Sequence, residues 1–436
     1  MVRQISSNCL KELQDKLKTE NQKALDKCFE LRIKVITPIF GGSDKPGQVD
    51  PLRPISAKSI RGHLRFWWRA CVADNYKTSE DLFRAEADIW GGVNVPDGNA
   101  KVAKESKVKL TVDILNPGNE IDRSWPNTLK YVLFPFSGNK DTKQNESAGK
   151  CLENVEFQLN IWCPTEIREE VAQALRAWIL FGGIGARTRR GCGSLFCVNW
   201  SDQLGDFPSD PKELIKKGLP QNCAQQIERT WPNLFRTRQV IGKPKIPVEA
   251  WSDAAGLMQK FRQEVGFARN PGTSNNRPGK SKWPEADSIR ENAKTKCKHT
   301  PQGKSLEYYP RADLGLPIVM QFPGCNGCPR SHTIGVGEDA NGRMASPIIL
   351  KPLAISESKA VPLVLLLNTP RVWESKRKLA LPIVVKPERG CKYDLQENQI
   401  NDPSKNKKVE PLKGLDARNA FMKMVSEAGW TEVTIP

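Results

Sequence analysis

A chain of 436 residues with 67 Lys and Arg against 49 Asp and Glu carries a formal charge of +18 and an isoelectric point near 9.4. A surplus of that size implies a polyanionic partner, either nucleic acid or an anionic membrane surface. No apolar run reaches spanning length, the longest being 361–367, and twelve cysteines without a secretory context imply reduced thiols in a cytoplasm. RNA or DNA is the expected partner, and no membrane.

The first segment, around Leu10, Leu13 and Leu17, reads as a polar amphipathic helix. Phe29, Leu31, Ile33 and Val35 alternate with Glu30, Arg32 and Lys34, which predicts a strand with one buried face. A glycine- and proline-rich loop, 38–54, follows it. Ser56 or Ser59 then caps a helix through Arg69, with Ile60, Leu64, Trp67 and Trp68 as apolar positions. A second short helix carries Leu82, Phe83 and Trp90 and stops at Gly91-Gly92. Val108, Leu110, Val112 and Ile114 predict a strand, 129–136 another, and Val155, Phe157, Leu159 and Ile161 a third. Between the last two, 137–152 is polar and suits a hairpin tip. Thr165 caps a helix with Glu166, Glu169 and Glu170 in its first turn and Ile167, Val171, Leu175, Trp178 and Ile179 on one face; 194–198 is a short strand.

That order, β-α-β-β-α-β with insertions, is the split βαβ plan. Composition shifts across 200–220, dividing a first domain, 1–204, from a second, 205–436. The second half predicts helices at 251–266, 285–294 and 415–428 and strands at 316–322, 345–353 and 361–367. The expected fold class is α+β, two ferredoxin-like (RRM-like) domains with insertions, the second a divergent copy of the first.

Residues 181–195, FGGIGARTRRGCGSL, are the most informative stretch. Gly183 and Gly185, then Gly191 and Gly193, bracket Arg187, Arg189 and Arg190. Glycine lets the backbone approach a ligand closely, and arginine supplies a flat, forked donor for phosphate. The spacing excludes both a dinucleotide fingerprint, since position 188 is Thr, and a Walker loop, which needs Gly-Lys-Ser/Thr. Here the helix precedes the loop, so the arginines must supply the attraction themselves. In the helix after the first loop, Lys58, Arg61, Arg65 and Arg69 recur at helical spacing and form a basic stripe, with His63 beside it.

Two features stand apart. Cys297-x-His299 and Cys325-x-x-Cys328, with His332 just beyond, offer a candidate set for one structural zinc: Cys297, His299, Cys325 and Cys328. No other cofactor is implied. Trp283, between Lys282 and Pro284, either stacks on an unpaired base or anchors its loop, and anchoring is the expectation.

The combination of 37–42 (TPIFGG), 53–70 (RPISAKSIRGHLRFWWRA), 89–92 (IWGG) and the paired-glycine loop resembles the RAMP superfamily of CRISPR proteins. The tryptophan-bearing helix, with 277–285 (RPGKSKWPE) and 343–347 (RMASP), is most similar to the first RAMP subunit of the type III-B effector, the Cmr complex. The resemblance implies a noncatalytic RNA-binding subunit of a type III-B CRISPR ribonucleoprotein. Such a subunit caps the complex near the 3′ portion of the guide RNA and helps capture target RNA, among other RAMP subunits. On that reading the RNA-facing residues are Lys58, Arg61, His63, Arg65, Arg69, Gly183, Gly185, Arg187, Arg189, Arg190, Gly191, Gly193, Arg277, Lys280, Lys282 and Arg290. The alternative is a RAMP-superfamily endoribonuclease using Asp50 or His63. Asp50 shares its loop only with Asp44 as an acid, and loop aspartates commonly form turns; His63 has no partner acid legible nearby.

Overall fold

The alternation at 29–35 builds β1, Lys27–Val35, whose Phe29, Leu31 and Ile33 point into the core while Glu30 and Arg32 face out. A computed structural model describes residues 27–43, 47–121, 124–136, 149–220, 231–272, 279–294, 306–322, 327–371 and 382–434. Leu10, Leu13, Leu17 and Asp44 lie outside them.

Ser56 accepts a hydrogen bond from the Ser59 N–H at 3.1 Å and so starts α1, Ala57–Val72. Helix α2, Ser79–Trp90, is capped by Thr78 and ends at Gly91. Then come β2, Lys109–Asn116, a helix α3, Asn127–Val132, β3, Glu156–Trp162, α4, Arg168–Phe181, and β4, Leu195–Cys197. The four strands form one antiparallel sheet in the order β2-β3-β1-β4.

Two expectations fail locally. Residues 129–136 are not a strand: α3 and a 3-10 turn, Phe134–Phe136, occupy them, because Leu129, Val132 and Leu133 are the buried positions and that spacing is helical. Thr165 does not cap α4; it opens a 3-10 turn, Thr165–Ile167, with no side-chain cap, and the α-helix begins at Arg168.

Helix α5, Pro211–Gly218, packs Leu214 and Ile215 into the first core, which therefore runs on past residue 204. Next come β5, Asn233–Ile241, α6, Pro247–Gln263, α7, Glu285–Asn292, β6, Ile348–Ala354, β7, Ala360–Asn368, α8, Ala417–Glu427, and β8, Thr431–Val433. The strands form a second antiparallel sheet, β6-β7-β5-β8. In both sheets the outer-to-outer order is second, third, first, fourth strand, with a helix after the first and after the third. A third antiparallel sheet, from Ile318–Met320, His332–Val336, Ile383–Pro387 and Tyr393–Leu395, is built from the two long insertions of the second unit and has its own small core.

The halves share one interior. Leu363, Leu365 and Leu367 of β7 join the core beneath α1 and α4, whereas Val364 and Leu366 join a second core with Met258 of α6 and Phe421 of α8. The second sheet is thus covered on both faces, which explains why 361–367 is uninterrupted apolar sequence. The layers run first sheet, α1 and α4, second sheet, α6 and α8.

Candidate nucleic-acid interface

The outer face of the first sheet does not offer a stacking platform for bases. On its two central strands the outward side chains at mid-strand are polar and engaged with one another: Gln158 donates to Glu30 at 2.9 Å, Arg32 pairs with Glu156, and Asn160 donates to Asp113 of β2 at 2.9 Å. The site therefore has to be sought on the helix side, around the glycine loop.

The loop is tied mainly to protein. The Ala186 N–H donates to Phe40 O at 2.7 Å, Gly193 N–H to Pro38 O at 2.9 Å and Ile184 N–H to Gly193 O at 2.9 Å, so these amides are spent internally. A β-carbon on Gly193 would lie 1.9 Å from Ile184 O, and one on Gly191 2.4 Å from Trp251 Cδ1. Close approach is indeed why these glycines are required, but the approaching group is the protein itself.

The arginines divide. Arg189 donates to Ser346 O and lies over the Phe66 ring at 5.1 Å; Arg190 donates to Ile348 O at 2.9 Å, while its own carbonyl accepts from the Trp251 indole at 2.6 Å. Both therefore bolt the loop to the second half and bring the 343–347 block beside α1. Arg187, at φ +60°, keeps a buried Nε without a hydrogen-bond partner among the described residues. Burial lowers the pKa of all three, Arg189 and Arg190 to about 10. After burial, repulsion from Arg262 of α6 and from Arg187 and Arg189 pushes Arg190 down further, against the hydroxyl of Tyr131. Among the described residues no carboxylate acts on this cluster. Arg262 was not singled out from sequence, since a basic residue on a helix that faces its own core carries no motif.

A second cation was also missed. Lys351 of β6 is fully buried and donates to Ile179 O at 3.2 Å and Gly182 O at 2.8 Å, the carbonyls that end α4. Desolvation alone lowers its pKa to about 7. Cationic donors suit a helix C-terminus, whose last carbonyls otherwise lack partners.

The α1 stripe has the predicted spacing but not a uniform role. Lys58 is exposed, and Arg61 donates to Ser106 Oγ at 2.6 Å. Arg65 and Arg69 instead converge on the buried carboxylate of Glu86 in α2, with Arg69 also stacked on Trp231 at 4.4 Å. Lys280 and Arg290 both pair with Asp287, and Lys282 with Glu410 and with Gly266 O, beyond the C-terminal end of α6. The ion pairs and hydrogen bonds of these three run to Asp287, Glu410 and Gly266 rather than to the arginine loop, whose neighbours on α6 are Trp251 and Arg262. Trp283 is buried against Phe261 at 5.2 Å and anchors its segment. Arg277 lies outside the described residues.

Of the two nuclease candidates, Asp50 uses its carboxylate to accept the Leu52 and Arg53 N–H groups at 2.9 and 3.0 Å, a turn-forming role. His63 lies parallel to Trp178, with ring centroids 6.4 Å apart, and burial lowers its pKa to about 4; no carboxylate among the described residues contributes.

Cys297, His299 and Cys325 lie outside the described residues. Cys328 is disulfide-bonded, and in that form its sulfur is no thiolate for zinc. Among the described residues no three His, Cys, Asp or Glu side chains form a metal cluster. Zinc on this turn requires the reduced protein: about one zinc per chain after reduction and dialysis is expected on that reading, and a content near zero by elemental analysis ends it.

Residues 32–196, the segment holding the first sheet, α1, α4 and the glycine loop, match the RAMP superfamily. Among solved structures, the chain is similar to Cmr1 from Pyrococcus furiosus in its apo form, at 16% identity and a TM-score of 0.47, over 93% of this chain and 98% of that one. It is also similar to a chain of the type III-B Cmr-β complex bound to cognate target RNA, at 12% identity and a TM-score of 0.42, over 91% and 99%. A chain of a type IV-B CRISPR complex matches 41% of this chain over its whole length, at 14% identity and a TM-score of 0.25. No curated protein matches by sequence. No helix among the described residues is long and apolar enough to cross a membrane.

Proposed function

We propose that the chain is a noncatalytic RNA-binding subunit of a type III-B CRISPR ribonucleoprotein, seated near the 3′ portion of the guide RNA and helping capture target RNA. Each four-stranded sheet with its two helices is then one ferredoxin-like unit. The observation that carries the reading is that Arg187, Arg189 and Arg190 stand together on one short loop beside α1, with the Arg187 Nε buried and without a hydrogen-bond partner among the described residues. Mutually repelling, part-buried guanidiniums are costly unless an anion joins them. A sugar-phosphate backbone beside α1 supplies that charge, positioned by Lys58 and Arg61, while sequence is read by guide–target pairing.

Arg189 and Arg190 hold the halves together, so they are poor choices for a binding test. Lys58, Arg187 and Arg262 are better ones. The triple substitution to Ala should leave the fold intact, weaken single-stranded RNA binding and lower the slope of log affinity against log salt by about 2. Fluorescence anisotropy between 50 and 300 mM salt measures this, and an unchanged slope overturns the assignment. The same RNA, incubated with Mg²⁺, is expected to stay whole. Cleavage lost in Asp50→Ala or His63→Ala would replace this reading with the nuclease one.

A further inference from the structure

Gly62 stands inside α1, where only proline is a worse residue than glycine for the helix. The described residues show no reason for it. Its φ is not positive, and a β-carbon there would meet no atom of them within 4 Å. A helical glycine facing open space, on the exposed side of a helix, leaves room for something outside the chain to approach the backbone.

What flanks that opening narrows the visitor. Lys58 is exposed about one turn before it, and Phe66 lies one turn after it beneath the Arg189 guanidinium, so positive charge brackets the step on both sides. Beside the opening is His63. Its ring is held parallel to Trp178, whose indole donates to Gly183 O at 3.0 Å and is thereby fixed to the glycine loop. Burial keeps the imidazole uncharged at neutral pH, and neither ring nitrogen has a hydrogen-bond partner among the described residues. An uncharged imidazole offers one donor and one acceptor, which matches a hydroxyl rather than a phosphate. Along a polynucleotide held by cations on either side of this step, sugars lie between the phosphates that those cations hold.

We infer that the Gly62–His63 step of α1 receives a ribose, with the His63 imidazole hydrogen-bonded to its 2′-hydroxyl, so that this step makes the protein prefer RNA to DNA. The inference rests on the RNA-binding reading above and names the group that the site recognises. The 2′-hydroxyl both donates and accepts, so either tautomer of His63 serves.

The test uses the full chain and a 20-nucleotide single strand of one sequence, made as RNA and as DNA, at 150 mM salt. Wild type should bind RNA more tightly. His63→Leu should weaken RNA binding about fivefold and leave DNA binding unchanged, so that the preference collapses. His63→Gln, which keeps a donor and an acceptor, should restore part of it. Gly62→Ala should raise the melting temperature, as alanine does in a helix, yet weaken both nucleic acids by crowding the backbone. Opposite signs for stability and binding are what a purely structural glycine would not give. Equal losses for RNA and DNA in His63→Leu, or intact binding in Gly62→Ala, overturn the inference while the RNA-binding reading stands. Wild type that binds neither strand overturns that reading, and this inference with it.

Discussion

Gly191→Ala is expected to cost about 3–5 kcal/mol of stability, against about 1–2 kcal/mol for Gly205→Ala. Both glycines sit at φ +87°, so the backbone strain of adding a side chain is the same. Their surroundings differ. No described residue lies within 4 Å of a β-carbon at 205, whereas at 191 it would meet Trp251 Cδ1 at 2.4 Å, Trp251 Nε1 at 2.6 Å and Leu350 O at 3.0 Å. Neither α6 nor β6 can retreat cheaply, because Trp251 is bonded to Arg190 O and β6 is in the middle of the layered core. Moving them also breaks the Arg190 bond to Ile348 O. Urea unfolding of the two variants measures the difference, and equal losses would show that the contact between the halves is slack.

The second large effect is a dependence on pH. Lys351 has an ordinary pKa near 10.5 when unfolded and about 7 when folded, lowered by desolvation. Between those values the unfolded chain binds a proton that the folded chain has released, so folding stability rises as pH rises. Below pH 7 the cost of burying the charge is fully present. Deprotonation does not sacrifice the hydrogen bonds, since a neutral amine still has two N–H donors for Ile179 O and Gly182 O. Wild type should gain about 1–2 kcal/mol of stability between pH 7 and 8.5 that Lys351→Met does not gain. Parallel pH profiles for the two proteins would mean that Lys351 is charged in neither state's favour.

The first half was legible because its strands obey one rule: β1 and β3 alternate apolar with polar, and one face is buried. The second half breaks that rule at its most important strand. β5 was not anticipated, since its buried positions include Thr237 and Gln239, and its pairing is shifted between Asn233 and Arg238, with Arg236 at positive φ. Without β5 the repeated strand order could not be read. At the site, sequence located the loop and the basic helix but misjudged what several arginines touch. Arg189, Arg190 and Lys351 end on main-chain carbonyls roughly 160–170 positions away, and every residue has a carbonyl, so no side-chain signature marks the partner. Arg65 and Arg69 had a legible partner type, an acid, but which acid follows from the packing of α1 on α2.

The shared interior bears on how the chain is made. The apolar back of α4 is covered in part by β6 and β7, residues 348–368, so that part of its lining is synthesised roughly 170–190 residues after the helix itself. At about 5–20 residues per second that interval lasts roughly 10–40 s. Throughout it the nascent first half lacks the apolar cover that Leu363, Leu365 and Leu367 later supply, so co-expressed chaperones are expected to raise its soluble yield.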